Sequence, residues 1–188
     1  MSHVVFRGAA RVATGSALEA ALTAQRLAAE PSEAGVLIFD DQGRQVDFDL
    51  SGGPADLTAR LAPPEEVAAP RGRGRPKLGV VPREVTLLPR HWDWLAAQPG
   101  GASVALRKLV EAALKEAEGP DRARRAKDAT YRFMTALAGD KPGYEEATRM
   151  LFAGDWTAFD AAVQGWPEAV REAVRGMAEA GWRNGEGR

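Results

Sequence analysis

The chain has 188 residues, a hydrophobic share of 45% and a formal net charge of -1. This composition suffices for one or two compact domains and excludes a wholly basic, histone-like coating protein. There is no cysteine, so disulfides, thiolate metal sites and cysteine nucleophiles are excluded. No basic leader precedes a long apolar run, and we expect a soluble cytoplasmic protein without membrane contact.

Residues 1–62 predict a small α+β domain. Residues 4–13 favour a hairpin or bent strand that turns near Gly8. Ser16 is placed to cap a helix over residues 17–29, because its hydroxyl can accept a bond from the first helical turn.

The second part of this domain predicts two strands and a helix. Residues 35–40 are apolar enough for a buried strand, and residues 44–50 alternate as its hairpin partner. A short helix carrying Leu57 and Leu61 follows. The aspartates of this region flank a tight turn, which favours solvated charges over a metal site. They are Asp40, Asp41, Asp47 and Asp49.

Residues 63–79 predict a proline- and alanine-rich linker that carries a basic run. Within residues 70–90, six cations face one acid, Glu84, which is the charge pattern of a local polyanion site. Glycines and a proline alternate with the cations, so the run cannot fold alone. An alternative is a chance run in a chain rich in Ala, Arg, Gly and Pro.

The centre of the run resembles the AT-hook, whose core stands here as Arg73-Gly74-Arg75-Pro76. The narrow minor groove of A·T-rich DNA attracts extended backbone carrying arginines. The resemblance implies that Arg73 and Arg75 lie in that groove. It also implies that Arg71 and Lys77 contact phosphates.

Residues 80–118 predict a strand followed by two helices. The strand ends at Pro89, one helix runs from Pro89 to about Gln98, and the next begins behind Ala102 or Ser103. This order resembles the ribbon-helix-helix repressors, in which paired strands of a dimer enter the major groove. An alternative is that these elements lie buried in an ordinary α+β core.

Alternation divides the strand into two faces. Val85 and Leu87 lie on one face, and Thr86 lies on the other, which the resemblance turns toward DNA. Arg83 lies near the ribbon end, and Arg90 follows the strand. A slip of one residue would exchange the two faces.

Two further patterns belong to the predicted helices. Trp92 and Trp94 cannot face the same way, so one is expected in the core with Leu95 and the other at an interface. In the second helix, apolar residues recur at helical spacing and predict a buried face. They are Val104, Leu106, Leu109, Val110, Ala113 and Leu114.

Residues 119–188 predict a helical region. Cations in residues 121–127 suit either phosphate contacts or a solvated face. Ala138-Gly139-Asp140 is repeated as Ala153-Gly154-Asp155, which predicts helices ended by the glycines and capped or approached by the aspartates. A last helix is expected over residues 167–180.

The whole order of parts resembles an uncharacterised family of bacterial proteins, a domain of unknown function, which implies no mechanism.

We expect an α+β homodimer that binds double-stranded A·T-rich DNA as a nucleoid-located regulator or nucleoid-associated protein. An enzyme is not expected, since neither His3 nor His91 has a catalytic partner, and no cofactor or metal is expected. The alternative is a protein-interaction adaptor with an incidental basic linker. The candidate DNA-binding residues are Arg71, Arg73, Gly74, Arg75, Pro76, Lys77, Arg83, Thr86 and Arg90.

Overall fold

A computed structural model of the chain describes residues 1–62 and 79–182. The predicted α+β class is confirmed, because the described residues combine a small antiparallel sheet with a mostly helical remainder. The elements are β1 (His3–Arg7), β2 (Ala10–Gly15), α1 (Ala17–Ala28), β3 (Val36–Asp40), α2 (Pro54–Leu61), α3 (Pro89–Ala96), α4 (Gly101–Ala138), α5 (Tyr144–Ala153), α6 (Trp156–Ala162) and α7 (Glu168–Trp182).

The chain divides into two compact units. The larger unit joins Met1–Pro63 with Gly119–Arg188, and the smaller unit is Pro64–Glu118. The smaller unit is therefore inserted in sequence between the two halves of the larger one. Among the described residues, none of the helices combines the length and the apolar character that a membrane crossing requires.

The sheet of the larger unit is built around β1. Its strand order is β2-β1-β3, and β1 is antiparallel to both neighbours. The predicted hairpin is present, and it turns at Gly8, whose φ of +58° suits glycine. Gly8 N also donates a bond of 2.9 Å to the carbonyl of Gly35, which connects the turn to the start of β3.

The two faces of the sheet contact different layers. Val5 and Ile38 are buried on the face that packs against α1. Phe6 and Phe39, which alternate with them along the strands, are buried on the opposite face with residues of α4 to α7. A helix layer therefore covers each face of the sheet.

Phe133 of α4 joins the sheet to the C-terminal helices. Its ring centroid lies 5.4 Å from that of Phe6 and 4.8 Å from that of Phe39, and all three rings are fully buried. The rings meet edge to face, an arrangement that adds to the free energy gained from burial alone.

The predicted cap of α1 is confirmed. Ser16 and Glu19 form a reciprocal capping box, in which the Ser16 hydroxyl accepts from Glu19 N and the Glu19 carboxylate accepts from Ser16 N. These bonds hold the pKa of the Glu19 carboxyl below its ordinary value.

Asp40 organises the turn after β3. Its carboxylate accepts bonds of 2.9 Å from Gln42 N, Arg44 N and Arg44 Nε. Burial raises the pKa of Asp40, but the bonds from Arg44 and Gln42 outweigh it, so the pKa lies below its ordinary value. Asp49 likewise bonds to Ser51. Among the described residues, both aspartates thus have local structural partners.

The turn is closed by Gly43, which packs against α4. Gly43 has a φ of +67°, and a Cβ at this position would overlap the backbone oxygen of Ala129. Arg132 of α4 also donates a bond of 2.9 Å to the carbonyl of Gln42. The turn and the helix are therefore held in direct backbone contact.

The repeated Ala-Gly-Asp segments both follow the end of a helix. Gly154 has a left-handed φ of +81°, and Asp155 caps α6 by accepting from Ala158 N at 2.9 Å. Asp140 bonds to Lys141 instead, and Gly143 precedes α5. Both glycines follow the last residue of a helix, but Gly139 lacks the positive φ of Gly154, so the two copies differ in glycine conformation as well as in their caps.

Two predicted elements differ in the structure. Residues 44–50 pair with the sheet only at the bridge between Phe39 and Gln45. The chain then leaves the sheet, and Phe48 and Leu50 pack against the cluster that α1 forms with Val5 and Ile38. The boundary expected between residues 118 and 119 lies inside a continuous helix, since α4 contains Pro120. Good helix formers on both sides sustain the helix, although proline removes one hydrogen bond.

Replacing Gly43 by alanine is expected to lower the free energy of unfolding by about 3 kcal/mol or more, because strain at positive φ adds to a clash with backbone. Gly154→Ala is the matched control. It has the same sign of φ, but its nearest neighbour is the Lys127 Nζ at 3.5 Å, so it should lose only about 1–2 kcal/mol. Urea denaturation measures both, and equal losses would contradict the described contact at Ala129.

The Asp40 carboxylate is expected to make stability depend on pH. A depressed folded pKa contributes stability above the unfolded pKa of about 4, and that stability is lost as pH falls through the folded pKa. Asp40→Asn should therefore have a flatter stability curve below pH of about 4. Urea unfolding from neutral to acidic pH tests this, with the exposed Asp47→Asn as control; identical curves for the two variants would refute it.

Candidate nucleic-acid interface

The described part of the candidate interface begins at Gly79. The hook-like residues Arg71, Arg73, Gly74, Arg75, Pro76 and Lys77 lie outside the described residues. Arg83, Thr86 and Arg90 lie within them, and all three are exposed.

Residues 79–88 lie in no helix or strand of the single chain. The predicted strand is therefore absent from it. Among the described residues, the backbone bonds of this segment are two that the Leu88 carbonyl accepts from His91 N and Trp92 N. The backbone donors before Leu88 thus make no bonds to other described backbone groups, as in an edge that has no neighbouring strand.

Apolar side chains of this segment are also uncovered. Val80, Val81, Val85 and Leu88 are between 50% and 69% exposed. A cluster of exposed branched residues outside any helix or strand is unusual on the surface of a monomer and indicates an interaction site.

Within the described ranges, the cations of the segment have no acidic partner. Neither Arg83 nor Arg90 forms an ion pair or a hydrogen bond with any described residue, and Glu84 is exposed without a cationic partner in that part of the chain. A polyanion could contact these guanidinium groups without first displacing a carboxylate.

The helix after the segment begins as predicted. Pro89 occupies the first turn of α3, where its missing N–H costs no helical bond, and Leu88 is the N-cap. Leu95 is buried, but Trp92 and Trp94 are 39% and 53% exposed. The expectation that one indole is buried with Leu95 is wrong, because this eight-residue helix buries only one side chain.

The first part of α4 has an uncovered apolar face. Leu109, Val110 and Leu114 are 48% to 60% exposed, although their spacing predicts burial. Within the described residues of the smaller unit, the buried hydrophobic side chains are Leu95 and Ala105. The helical pattern is therefore correct, while the described residues do not supply the surface that would cover it.

The cations of residues 121–127 separate by helix face. Arg124 pairs with Asp121 at 2.9 Å, and Lys127 donates to the carbonyl of Phe152 at 3.1 Å. Arg122 and Arg125 instead line a cleft of the larger unit. Arg11 and Arg132 join them there. The sequence did not indicate either residue, because Arg11 lies on a distant strand and Arg132 lies beyond the basic run of residues 121–127. The signal available was the spacing of Arg122, Arg125 and Arg132 on one helix face.

Comparison with known proteins identifies the family. The model of the family described as "Uncharacterized protein conserved in bacteria (DUF2239)" matches residues 2–178. The chain belongs to the DUF2239 family. The resemblance to an uncharacterised bacterial family is thereby confirmed. The match includes the basic run and residues 79–90 together with the sheet and the helices. No curated protein and no solved structure matches the chain.

Proposed function

We propose that this member of the DUF2239 family is a homodimeric DNA-binding protein, either a transcriptional regulator or a nucleoid-associated protein. Its candidate contacts are a hook in the minor groove and a two-stranded ribbon in the major groove. The observation that carries the proposal is the segment 79–90, which has exposed apolar side chains, exposed cations and unpaired backbone.

The unpaired backbone supports a second copy of the same segment as the partner. A strand that leaves its donors and acceptors unused gains most from an antiparallel twin, because a two-fold axis supplies a self-complementary edge. The exposed Leu109, Val110 and Leu114 offer apolar surface for the same association. Dimerisation would bury this surface and complete the ladder together.

The charge distribution supports DNA as the ligand of that dimer. The hook-like residues and the strand are adjacent in sequence, so binding by one raises the effective concentration of the other. A dimer presents each contact twice. Two weak groove contacts per subunit can then give useful affinity without a large basic surface, which agrees with a net charge of -1.

A protein-interaction adaptor is the second candidate. The exposed Trp92 and Trp94 favour it, since tryptophan is enriched in protein interfaces. In this alternative the basic run is incidental, and DNA affinity is negligible.

Arg73→Ala/Arg75→Ala is expected to weaken binding to an A·T-rich duplex by about 10- to 100-fold, because two charged groove contacts are removed. Binding to a G·C-rich duplex should change less. Titrations at several salt concentrations measure both affinity and salt slope. Arg124→Ala/Arg149→Ala is the control, since it removes the same charge from exposed arginines paired with Asp121 and Glu146.

Negligible duplex binding by the wild type and the hook variant alike would remove the DNA proposal. Binding that persists unchanged in the hook variant would show that the hook is wrong and that the ribbon carries the affinity.

Val85→Asp is expected to raise the dimer dissociation constant by about 100-fold or more, because the dimer would bury a carboxylate without a partner. Thr86→Asp adds the same charge on the opposite face. It should retain the dimer and lose DNA binding. Light scattering measures the mass, and fluorescence anisotropy measures duplex binding.

An exchange of the two results would show that the strand register is shifted by one residue. A wild-type monomer at all concentrations would refute the paired ribbon.

A further inference from the structure

The larger unit contains a cleft that shares no residue with the proposed DNA contacts. Its volume is about 660 Å³, within the range of roughly 300–1,000 Å³ for small-molecule sites. It is bounded by β1 and β2, by the turn after β3, by the second half of α4 and by α7. Its arginines are Arg11, Arg122, Arg125 and Arg132.

One face of α4 forms the longest wall of the cleft. Arg125, Ala129 and Arg132 follow at helical spacing and all line it. The opposite wall includes Ala173 and Gly176 of α7. Small residues on both walls leave the space between them empty, while the arginines provide charge at its edge.

The walls are held in place by contacts within the protein. Gly43 packs against the backbone of Ala129, and Arg132 donates to the Gln42 carbonyl at 2.9 Å. On the other side, Arg11 of β2 forms an ion pair of 3.2 Å with Glu172 of α7. The cleft is therefore formed before a ligand arrives, which lowers the entropy cost of binding.

The cleft offers both cationic donors and carboxylate acceptors. Arg125 has no hydrogen-bond or ionic partner among the described residues, and Arg132 bonds only to a neutral carbonyl there. Asp41 and Asp128 also line the cleft and bond to no described residue. Guanidinium groups bind phosphate through paired N–H donors, whereas carboxylates accept from hydroxyl and amino groups.

Apolar side chains complete the lining. Val4 and Met177 contribute carbon surface beside the charged groups. A ligand that matches all three features carries phosphate, hydrogen-bond donors and a flat apolar part.

We propose that this cleft binds a nucleotide. Its phosphates contact Arg125 and Arg132, its ribose or amino donors face Asp41 and Asp128, and its base lies toward Val4 and Met177. The proposal goes beyond DNA binding, because it assigns a small phosphorylated ligand to a site distinct from residues 71–90.

The test is calorimetric titration of the full chain with ATP, inorganic pyrophosphate and adenosine. We expect ATP and pyrophosphate to bind and adenosine to bind far more weakly. Arg125→Ala should weaken ATP binding by about tenfold or more, since it removes a charged contact. Arg124→Ala is the matched control, because Arg124 lies on the same helix and pairs with Asp121.

Gly176→Leu keeps the test independent of folding. A Cβ at Gly176 has no heavy atom within 4 Å and its φ is not positive, so the substitution fills the cleft while favouring the helix. We expect the free energy of unfolding of this variant to be no lower than that of the wild type, and we expect the variant to lose ATP binding.

No ATP binding by the wild type, or unchanged ATP binding in Gly176→Leu, would overturn the proposal. A duplex-binding arm separates the two sources of phosphate. If Arg125→Ala and Gly176→Leu weaken duplex binding while the wild type binds no nucleotide, the cleft is a DNA-backbone contact and the nucleotide assignment is wrong.

Discussion

The packing of Phe133 on Phe6 and Phe39 is the interaction on which the larger unit depends. A three-stranded sheet is stable only when its apolar faces are covered. One face is covered locally by α1, whose Ala20, Ala24 and Leu27 lie against Val5 and Ile38. The other face is covered only by residues that follow the inserted unit in sequence. The N-terminal sheet and the C-terminal helices are therefore two halves of one core.

The smaller unit has the opposite character. It has few buried side chains among its described residues, and its branched and aromatic residues are largely exposed. The backbone of residues 79–87 also makes no hydrogen bond to other described backbone groups. A surface with exposed apolar side chains and unbonded backbone groups is expected to associate, because one partner strand can form the backbone hydrogen bonds and cover the apolar side chains at once. The proposed dimer would provide both the hydrogen bonds and the apolar cover, and the basic run is the reason for proposing DNA as its ligand.

The local elements were predictable because their signals are local. Ser16 and Glu19 mark the start of α1, Gly8 marks a turn, Pro89 marks the start of α3, and the apolar run in residues 35–40 marks a buried strand. What the sequence did not indicate depends on distant partners. Phe133 resembles any helical apolar residue until Phe6 and Phe39 are placed beside it. Leu50 was assigned to a strand by alternation, yet burial against α1 decides its position. Arg11 and Arg132 reach one cleft only through the fold, while Arg83, Thr86 and Arg90 are exposed, as the proposed DNA contacts require.

The interrupted course of the larger unit has a consequence for synthesis on the ribosome. When Phe39 leaves the exit tunnel, its ring partner Phe133 has not yet been translated, and the whole of Pro64–Glu118 must emerge before Phe133 does. One apolar face of the nascent sheet is therefore exposed to chaperones, proteases and other nascent chains during this time. The sheet stays folded until α4 is translated only if the packing of α1 stabilises the strands sufficiently. The N-terminal hairpin and its capped helix therefore keep the sheet folded during translation.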